Sequence, residues 1–505
     1  MQTNVVEYLI HSAEKFPNKI ALQDENMSIT FAELDKKARA IAGMLNRQFG
    51  EIRNQPIAVY MEKGVNCIVA FMGIAYSGNF YSPVDVHSPR ERINLVLQAF
   101  KPVAVLADNS SKLSLLNGDI QVEPEHVLYI ESAGEENCIY CDWNRVKKEI
   151  LDVDPLYVLF TSGSTGVPKG VVINHKAVID YAEWLSDTFQ FDETTVFGNQ
   201  APFYFDNSIL DIYQTLRNGS TMVIIPERLF MFHGKLIQFI NEHQINTIFW
   251  VPSALIAVAN SGILEREGII GLKKVLFCGE VMPVKPFNEW KKHYPEVLYA
   301  NLYGPTEITD VCSYYIVDRD FDETDSLPIG KACENTGIIV LNDEDKLAKE
   351  GEIGELCVRG TCLSLGYYGE FEKSDKVFVQ NPLNSYYRDL IYRTGDLVKV
   401  NERGELIYLC RKDFQIKYQG HRIELGEIDS AGYAIDGVRQ ACAIFDQNKI
   451  IFYCSTSKEL SEKDIYMELK QRIPKYMLPK EICILEDIPL NVNGKIDRVY
   501  LKKLQ

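Results

Sequence analysis

Apolar positions along this chain follow two alternating rhythms. Short apolar runs at 57–61, 103–106, 222–225, 247–250 and 275–277 have strand length and lie between turn residues. Stretches such as 5–16 and 31–45 place apolar residues three and four apart and predict amphipathic helices. Strands alternating with helices predict α/β layers with largely parallel sheets. After about residue 330 the texture changes. Runs at 337–342, 354–360 and 404–409 are short strands divided by Gly and Asp turns, and they predict a β-rich, barrel-like section. From Asp413 onward the last hundred or so residues carry a compact α/β pattern of their own. The expected organisation is a large N-terminal region of layered α/β subdomains, residues 1–412, followed by a small α/β C-terminal domain, residues 413–505.

Composition narrows the function classes. A chain of 505 residues is too long for one core and calls for several domains or subdomains. The net charge of −17 argues against a nucleic-acid surface. The first residues carry neither a basic nor an apolar signal segment, and the longest apolar run, 67–76, is too short to span a bilayer. A cytoplasmic enzyme is the expectation. The twelve cysteines are dispersed, mostly inside apolar runs where a thiol behaves as a small hydrophobe. Cys138 and Cys141 form a lone C-x-x-C with no second pair or matching histidines nearby, so a metal site is not expected there.

The candidate chemistry sits where apolar strands empty into polar loops. After the run 157–160 come Thr161, Ser162, Gly163, Ser164, Thr165, Gly166 and Lys169. Backbone N–H groups, hydroxyls and one cation make such a loop a phosphate cradle. Its spacing is not that of a P-loop, because Pro168 precedes the lysine and Gly170 follows it. A second cluster holds Asn301, Tyr303, Gly304, Thr306 and Glu307: a ring that can stack, a forced turn, and two oxygen ligands suited to Mg2+. Asp396 lies in a tight turn, where a carboxylate suits a pair of ribose hydroxyls. Lys495 follows an Asn-Gly turn close to the end of the chain.

Together with the segments 29–34, 77–85, 205–208, 411–417, 420–427 and 474–479, these clusters resemble the adenylate-forming superfamily. That superfamily includes acyl-CoA synthetases, luciferases and peptide-synthetase adenylation domains. The resemblance runs along essentially the whole chain, in order. Within it, Asp206 points to amino-acid-activating members, where an aspartate at this position accepts the substrate's α-ammonium. A buried carboxylate needs a cationic partner, and an amino acid supplies one. The other reading of Asp206 is a helix N-cap ahead of Ser208. Segments 199–203, 211–213, 277–283 and 413–417 are most similar to stand-alone D-alanine–carrier protein ligases.

The resemblance implies two half-reactions. An amino-acid carboxylate attacks the α-phosphorus of ATP, and the acyl group then passes to a phosphopantetheine thiol. Thr161 to Lys169 would hold the β- and γ-phosphates. Glu307 and Thr306 would hold Mg2+, and Tyr303 would stack on adenine. Asp396, helped by Arg411, would bind ribose, with Asn301 and Gly304 in the same site. Lys495 would bridge the carboxylate and the α-phosphate. The C-terminal domain would be a mobile lid, rotating at a hinge at Asp413, withdrawing Lys495 and turning segment 420–427 toward the thiol tunnel. No carrier motif follows Arg498, so a separate carrier protein is the expected acceptor. The family's specificity positions fall on Asp206, Asn207, Leu210, Phe249, Leu276, Cys278, Leu302, Asp310, Val311 and Lys495, with a one-residue shift from Phe249 to Trp250 as the alternative. Cys278 would pack beside the α-carbon and favour a D-isomer. Asn207 and Asp310 are polar beyond what alanine needs. Asp310 either reads a basic or hydroxylated side chain, or pairs with an internal cation or faces solvent. The competing functions are an acyl- or aryl-CoA ligase, against which Asp206 speaks, and a catalytically silent homologue. Lys169, Glu307, Asp396 and Lys495 together speak against the latter.

Overall fold

The computed structural model describes residues 2–111, 120–133, 141–162, 168–412, 415–489 and 496–504. Two large sheets carry most of the chain, and the predicted strands supply them. One has nine strands. Its central members, Ile20–Gln23, Thr221–Ile224, Val196–Asn199, Thr247–Trp250, Lys274–Phe277 and Leu298–Tyr303, are mutually parallel, with antiparallel strands at both edges. The other has six strands: Val127–Tyr129, Ala104–Ala107, Pro56–Tyr60, Phe80–Pro83 and Pro155–Thr161 run parallel, and Lys169–Asn174 returns antiparallel at the edge. The α/β expectation holds, and residues 336–411 form an antiparallel five-stranded sheet as the change in texture predicts.

Local chemistry explains the helices between the sheets. The helix Phe31–Phe49 begins on a capping box: the Glu33 N–H donates to Thr30 Oγ1 at 3.2 Å, and the Thr30 N–H donates to Glu33 Oε2 at 2.8 Å. Packed on it is Val65–Tyr76, apolar and buried except at the half-buried Asn66. Gly73 permits this approach, since a Cβ there would lie 2.7 Å from Ile41 Cβ. The apolar run that was too short for a membrane is therefore a core helix. No helix among the described residues is long and apolar enough to cross a bilayer.

From Gln415 the chain builds separate sheets around separate cores. The hairpin Gln415–Tyr418 and His421–Glu424 turns on Gln419 and Gly420, both at positive φ, as a two-residue turn requires. The helix Leu425–Tyr433 and a three-stranded sheet follow, with Ile423, Ile428, Ile450, Phe452 and Leu469 in a common core. The hairpin lies across the large sheets' cleft. The Gly420 N–H donates to Glu280 Oε1 at 2.9 Å, Phe205 meets His421 edge-on at 4.8 Å, and His421 stacks on Tyr476 at 3.6 Å. Arg92 pairs with Glu427 beside it.

Candidate active site

The phosphate-type loop hangs between two antiparallel strands in which Thr161 stands opposite Lys169. Gly163, Ser164, Thr165 and Gly166 lie outside the described residues; the loop's two ends are described. Thr161 Oγ1 lies 3.5 Å from the Lys169 carbonyl. Lys169 Nζ lies over the Tyr367 ring at 5.0 Å and 3.7 Å from Glu424. Burial and then the neighbouring Arg422 push this ammonium's pKa down. Ser162 is buried, donates to the Arg422 carbonyl at 2.7 Å and accepts from the Glu424 N–H at 3.1 Å, so the hairpin is bonded to the loop's first residues.

The second cluster closes the other side. Leu298–Tyr303 runs into a turn at Gly304 that only glycine fits, since a Cβ there would fall 2.2 Å from the Asp310 carbonyl oxygen. Glu307 is fully buried. It accepts from Tyr367 Oη at 2.8 Å and from the Arg422 guanidinium. Burial alone would raise its pKa, but the charges of Arg422 and Lys169 overcome that and hold it at about 2. The Asn301 side-chain amide donates to the Pro328 carbonyl at 2.8 Å, which fixes the strand end. Tyr303 donates its hydroxyl to Asp396, and Arg411, directly across the ladder, donates to the same carboxylate at 2.8 Å. The Lys417 ammonium, carried by the hairpin, lies 5.1 Å from the Tyr303 ring centroid.

The remaining candidates lie in or beside one buried cluster. Phe249, Leu276, Leu302, Leu210, Cys278 and Val311 belong to one buried cluster, whereas Trp250 belongs to another and donates Nε1 to the Gly198 carbonyl at 2.8 Å. Strand alternation thus turns Phe249 toward this cluster and its neighbour away from it. Asp206 does not cap the following helix: Asn207 is the N-cap residue and makes no side-chain cap bond. The Asp206 carboxylate accepts from the Asn207 N–H at 3.1 Å and from Thr306. Burial raises its pKa against the pull of Thr306, Lys417 and Arg422. Asp310 is buried and accepts from Tyr181 Oη at 2.5 Å. It is not turned to solvent, and among the described residues it makes no direct ion pair. Burial, and next the Asp206 charge, push its pKa well up. Burial likewise raises the Cys278 thiol, which packs in the same cluster.

Asp413 and Lys495 lie outside the described residues. Just beyond Lys495, Arg498 pairs with Asp429, its Nε lies 3.2 Å from Cys442 Sγ, and Ile496 packs on the small unit's sheet. Sequence reasoning missed Arg422, Glu424 and Lys417 as site residues, although all three lie in segments it singled out. It also missed Tyr157, Tyr181 and Tyr367, which carry no local signal.

The chain matches the family model for AMP-binding enzymes over residues 9–368. It is 31% identical to the L-proline–[L-prolyl-carrier protein] ligase of Pseudomonas fluorescens, with 98% of each chain aligned. It is 30% identical to the D-alanine–D-alanyl carrier protein ligase of Bacillus licheniformis, with 99% of each aligned. In fold it is similar to the Vibrio cholerae adenylation domain AlmE, solved with glycyl-adenosine-5'-phosphate, at TM-score 0.84 and 21% identity, covering 100% of this chain and 98% of that one. The chain belongs to the AMP-binding enzyme family of adenylate-forming ligases.

Proposed function

We propose that this protein activates an amino acid with ATP and passes the aminoacyl group to the phosphopantetheine thiol of a separate carrier protein. D-Alanine or another small or polar amino acid is the substrate class. The observation that carries this reading is Asp206: a half-buried carboxylate that accepts from the Asn207 N–H and from Thr306 and whose charged form its surroundings disfavour. It needs a cation, and an α-ammonium supplies one.

In the first step a substrate carboxylate oxygen forms a bond to the α-phosphorus and pyrophosphate leaves. Lys169 and the Thr161–Ser162 loop start hold the β- and γ-phosphates, and Asp396 holds ribose with Arg411 and Tyr303 fixing its orientation. Lys495 bridges the carboxylate and α-phosphate oxygens. Glu307 and Thr306 fit Mg2+: the donors are hard oxygens, and the ion would replace the cation that the buried Glu307 carboxylate otherwise finds in Arg422. Bound there, the ion would neutralise phosphate charge. In the second step the thiol sulfur forms a bond to the acyl carbon and AMP leaves. Residues 413–505 act as a lid turning at Asp413. The arrangement described above suits the second step, because Arg422 occupies Glu307 and Glu424 faces Lys169. Tyr303 is then free to stack on adenine once Lys417 withdraws with the lid.

Amino-acid-dependent ATP–pyrophosphate exchange across both enantiomers tests this, with Lys495→Ala as the control. Exchange with amino acids, lost in the control, is expected. Exchange with fatty or aryl acids alone, together with acyl transfer to free CoA, would replace the reading by a CoA ligase.

A further inference from the structure

The helices Pro252–Asn260 and Val284–His293 connect parallel strands of the nine-stranded sheet. Each starts at the carboxyl ends of those strands, where Glu280 and Glu307 also follow theirs, and runs back along the sheet. Their last turns therefore lie at the end of the sheet opposite the cleft. There the chain leaves the first helix through Gly262, at φ 67°, into the short turn Ile263–Glu265. Leu264 of this turn is buried in one core with Phe287 and Trp290 of the second helix, and Trp290 Nε1 donates to the Leu255 carbonyl at 2.9 Å. That packing sets Glu265 beside the end of the second helix.

Three side chains of ligand type converge at this place. Glu289 and His293 stand four residues apart on one helix face. A carboxylate oxygen of Glu265, one of Glu289 and a ring nitrogen of His293 all lie within 4.8 Å of one another. His293 Nε2 is 3.8 Å from Glu289 Oε2, too far for a hydrogen bond. The His293 side chain is 20% exposed, yet Nε2 itself is shielded from solvent and has no hydrogen-bond partner among the described residues. A shielded nitrogen without a partner is unfavourable, and two carboxylates so close repel each other. Lys292, on an exposed side chain 3.6 Å from Glu289, offsets part of that charge. Among the described residues no cation pairs with Glu265. One divalent ion would answer all three groups. Donors bound to zinc at about 2.0–2.2 Å lie roughly 3.4 Å apart at a tetrahedral angle, so a small side-chain adjustment closes the set.

We propose that Glu265, Glu289 and His293 form a site for a divalent transition-metal ion of the zinc type, which ties the turn Ile263–Glu265 to the last turn of the helix Val284–His293. One imidazole with two carboxylates suits zinc better than magnesium, which takes oxygen ligands. The site is separate from Glu307 and Thr306 and does not depend on how the cleft is read.

The test is Zn2+ binding by the full-length protein, stripped with a chelator and then held in excess Mg2+ to fill oxygen-only sites. Affinity is measured by competition with a chromogenic chelator, and Co2+ serves as the spectroscopic substitute. One equivalent of Zn2+ is expected. Bound Co2+ is expected to give visible ligand-field bands without the near-ultraviolet band of a cobalt–thiolate bond, a necessary distinction in a chain with twelve cysteines. Loss of an outer-shell partner already weakens metal binding by about 10- to 100-fold, so affinity is expected to fall at least about 100-fold in His293→Gln and at least about 10-fold in Glu265→Gln. Zn2+ is expected to raise the thermal unfolding midpoint of the wild type and not of the variants. Glu265 is exposed, so Glu265→Gln decides even if His293→Gln does not fold. Absence of Zn2+ binding, affinity unchanged in Glu265→Gln, or a cobalt spectrum dominated by thiolate ligation overturns the proposal.

Discussion

Arg422→Met separates the two half-reactions. The Arg422 guanidinium pairs with the fully buried Glu307, and its charge is the largest influence lowering that carboxyl, ahead of Lys169. Glu307 falls from 4.5 to about 2. At about 1.4 kcal/mol per pKa unit, that is about 3 kcal/mol favouring the ionised, paired state. Methionine keeps the stem and removes the charge. The hairpin-in arrangement then loses most of this energy, about 2–3 kcal/mol, and its equilibrium constant against the withdrawn arrangement falls roughly 30- to 150-fold. MgATP binding has no use for Arg422, so pyrophosphate exchange with the preferred amino acid is expected to stay within about threefold of wild type. Transfer to pantetheine, followed as thioester formation after the adenylate is made, is expected to fall by the larger factor. Thermal unfolding of the variant guards against a general loss of fold. Equal losses in exchange and transfer, or unimpaired transfer, would refute the idea that this ion pair sets the hairpin's position.

Other consequences can be measured as directly. Burial outweighs the Asn199 hydrogen bond and lifts Asp211 from 3.8 to about 7. The folded state thus binds this proton more tightly than the unfolded chain. Stability is fully present below about pH 4, declines up to about pH 7 and then levels, and Asp211→Asn should flatten that decline in thermal melts at pH 5 and 8; parallel curves would count against it. Asp396→Ala leaves Arg411 and the Tyr303 hydroxyl without their shared carboxylate, at a cost of about 3–5 kcal/mol. The KM for ATP should rise at least tenfold, and an unchanged KM in a folded variant would remove Asp396 from the nucleotide site. Thr30→Ala breaks the capping box and should lower unfolding free energy by about 1 kcal/mol while leaving exchange untouched.

Much of the fold was legible because it is local. The period of apolar residues located the strands to within a residue or two, and the segment at 29–34 turned out to be a helix-capping device whose residues are read in sequence order. The turn at Gly304 was legible for the same reason. What stayed hidden depends on pairs far apart in the chain. Tyr181 and Asp310 are separated by 129 positions, and Arg422 and Glu307 by 115. The polar character of Asp310 was visible, but whether it met a cation, a hydroxyl or water is decided by which helix lies over it. The choice between Phe249 and Trp250 needed only the parity of one strand relative to its sheet, which four residues cannot fix alone.

Lys417 joins two parts of the molecule that an engineer would wish to treat separately. It is carried by the small unit, yet its charge acts on Asp206, Asp310 and Cys278 inside the pocket. A more negative pocket therefore draws the hairpin in more strongly, and a neutral pocket holds it less. Neutralising Asp206 or Asp310 would change the field that Lys417 meets, even with every other hairpin contact intact. A successful graft of new selectivity onto this scaffold needs a matching change at position 417.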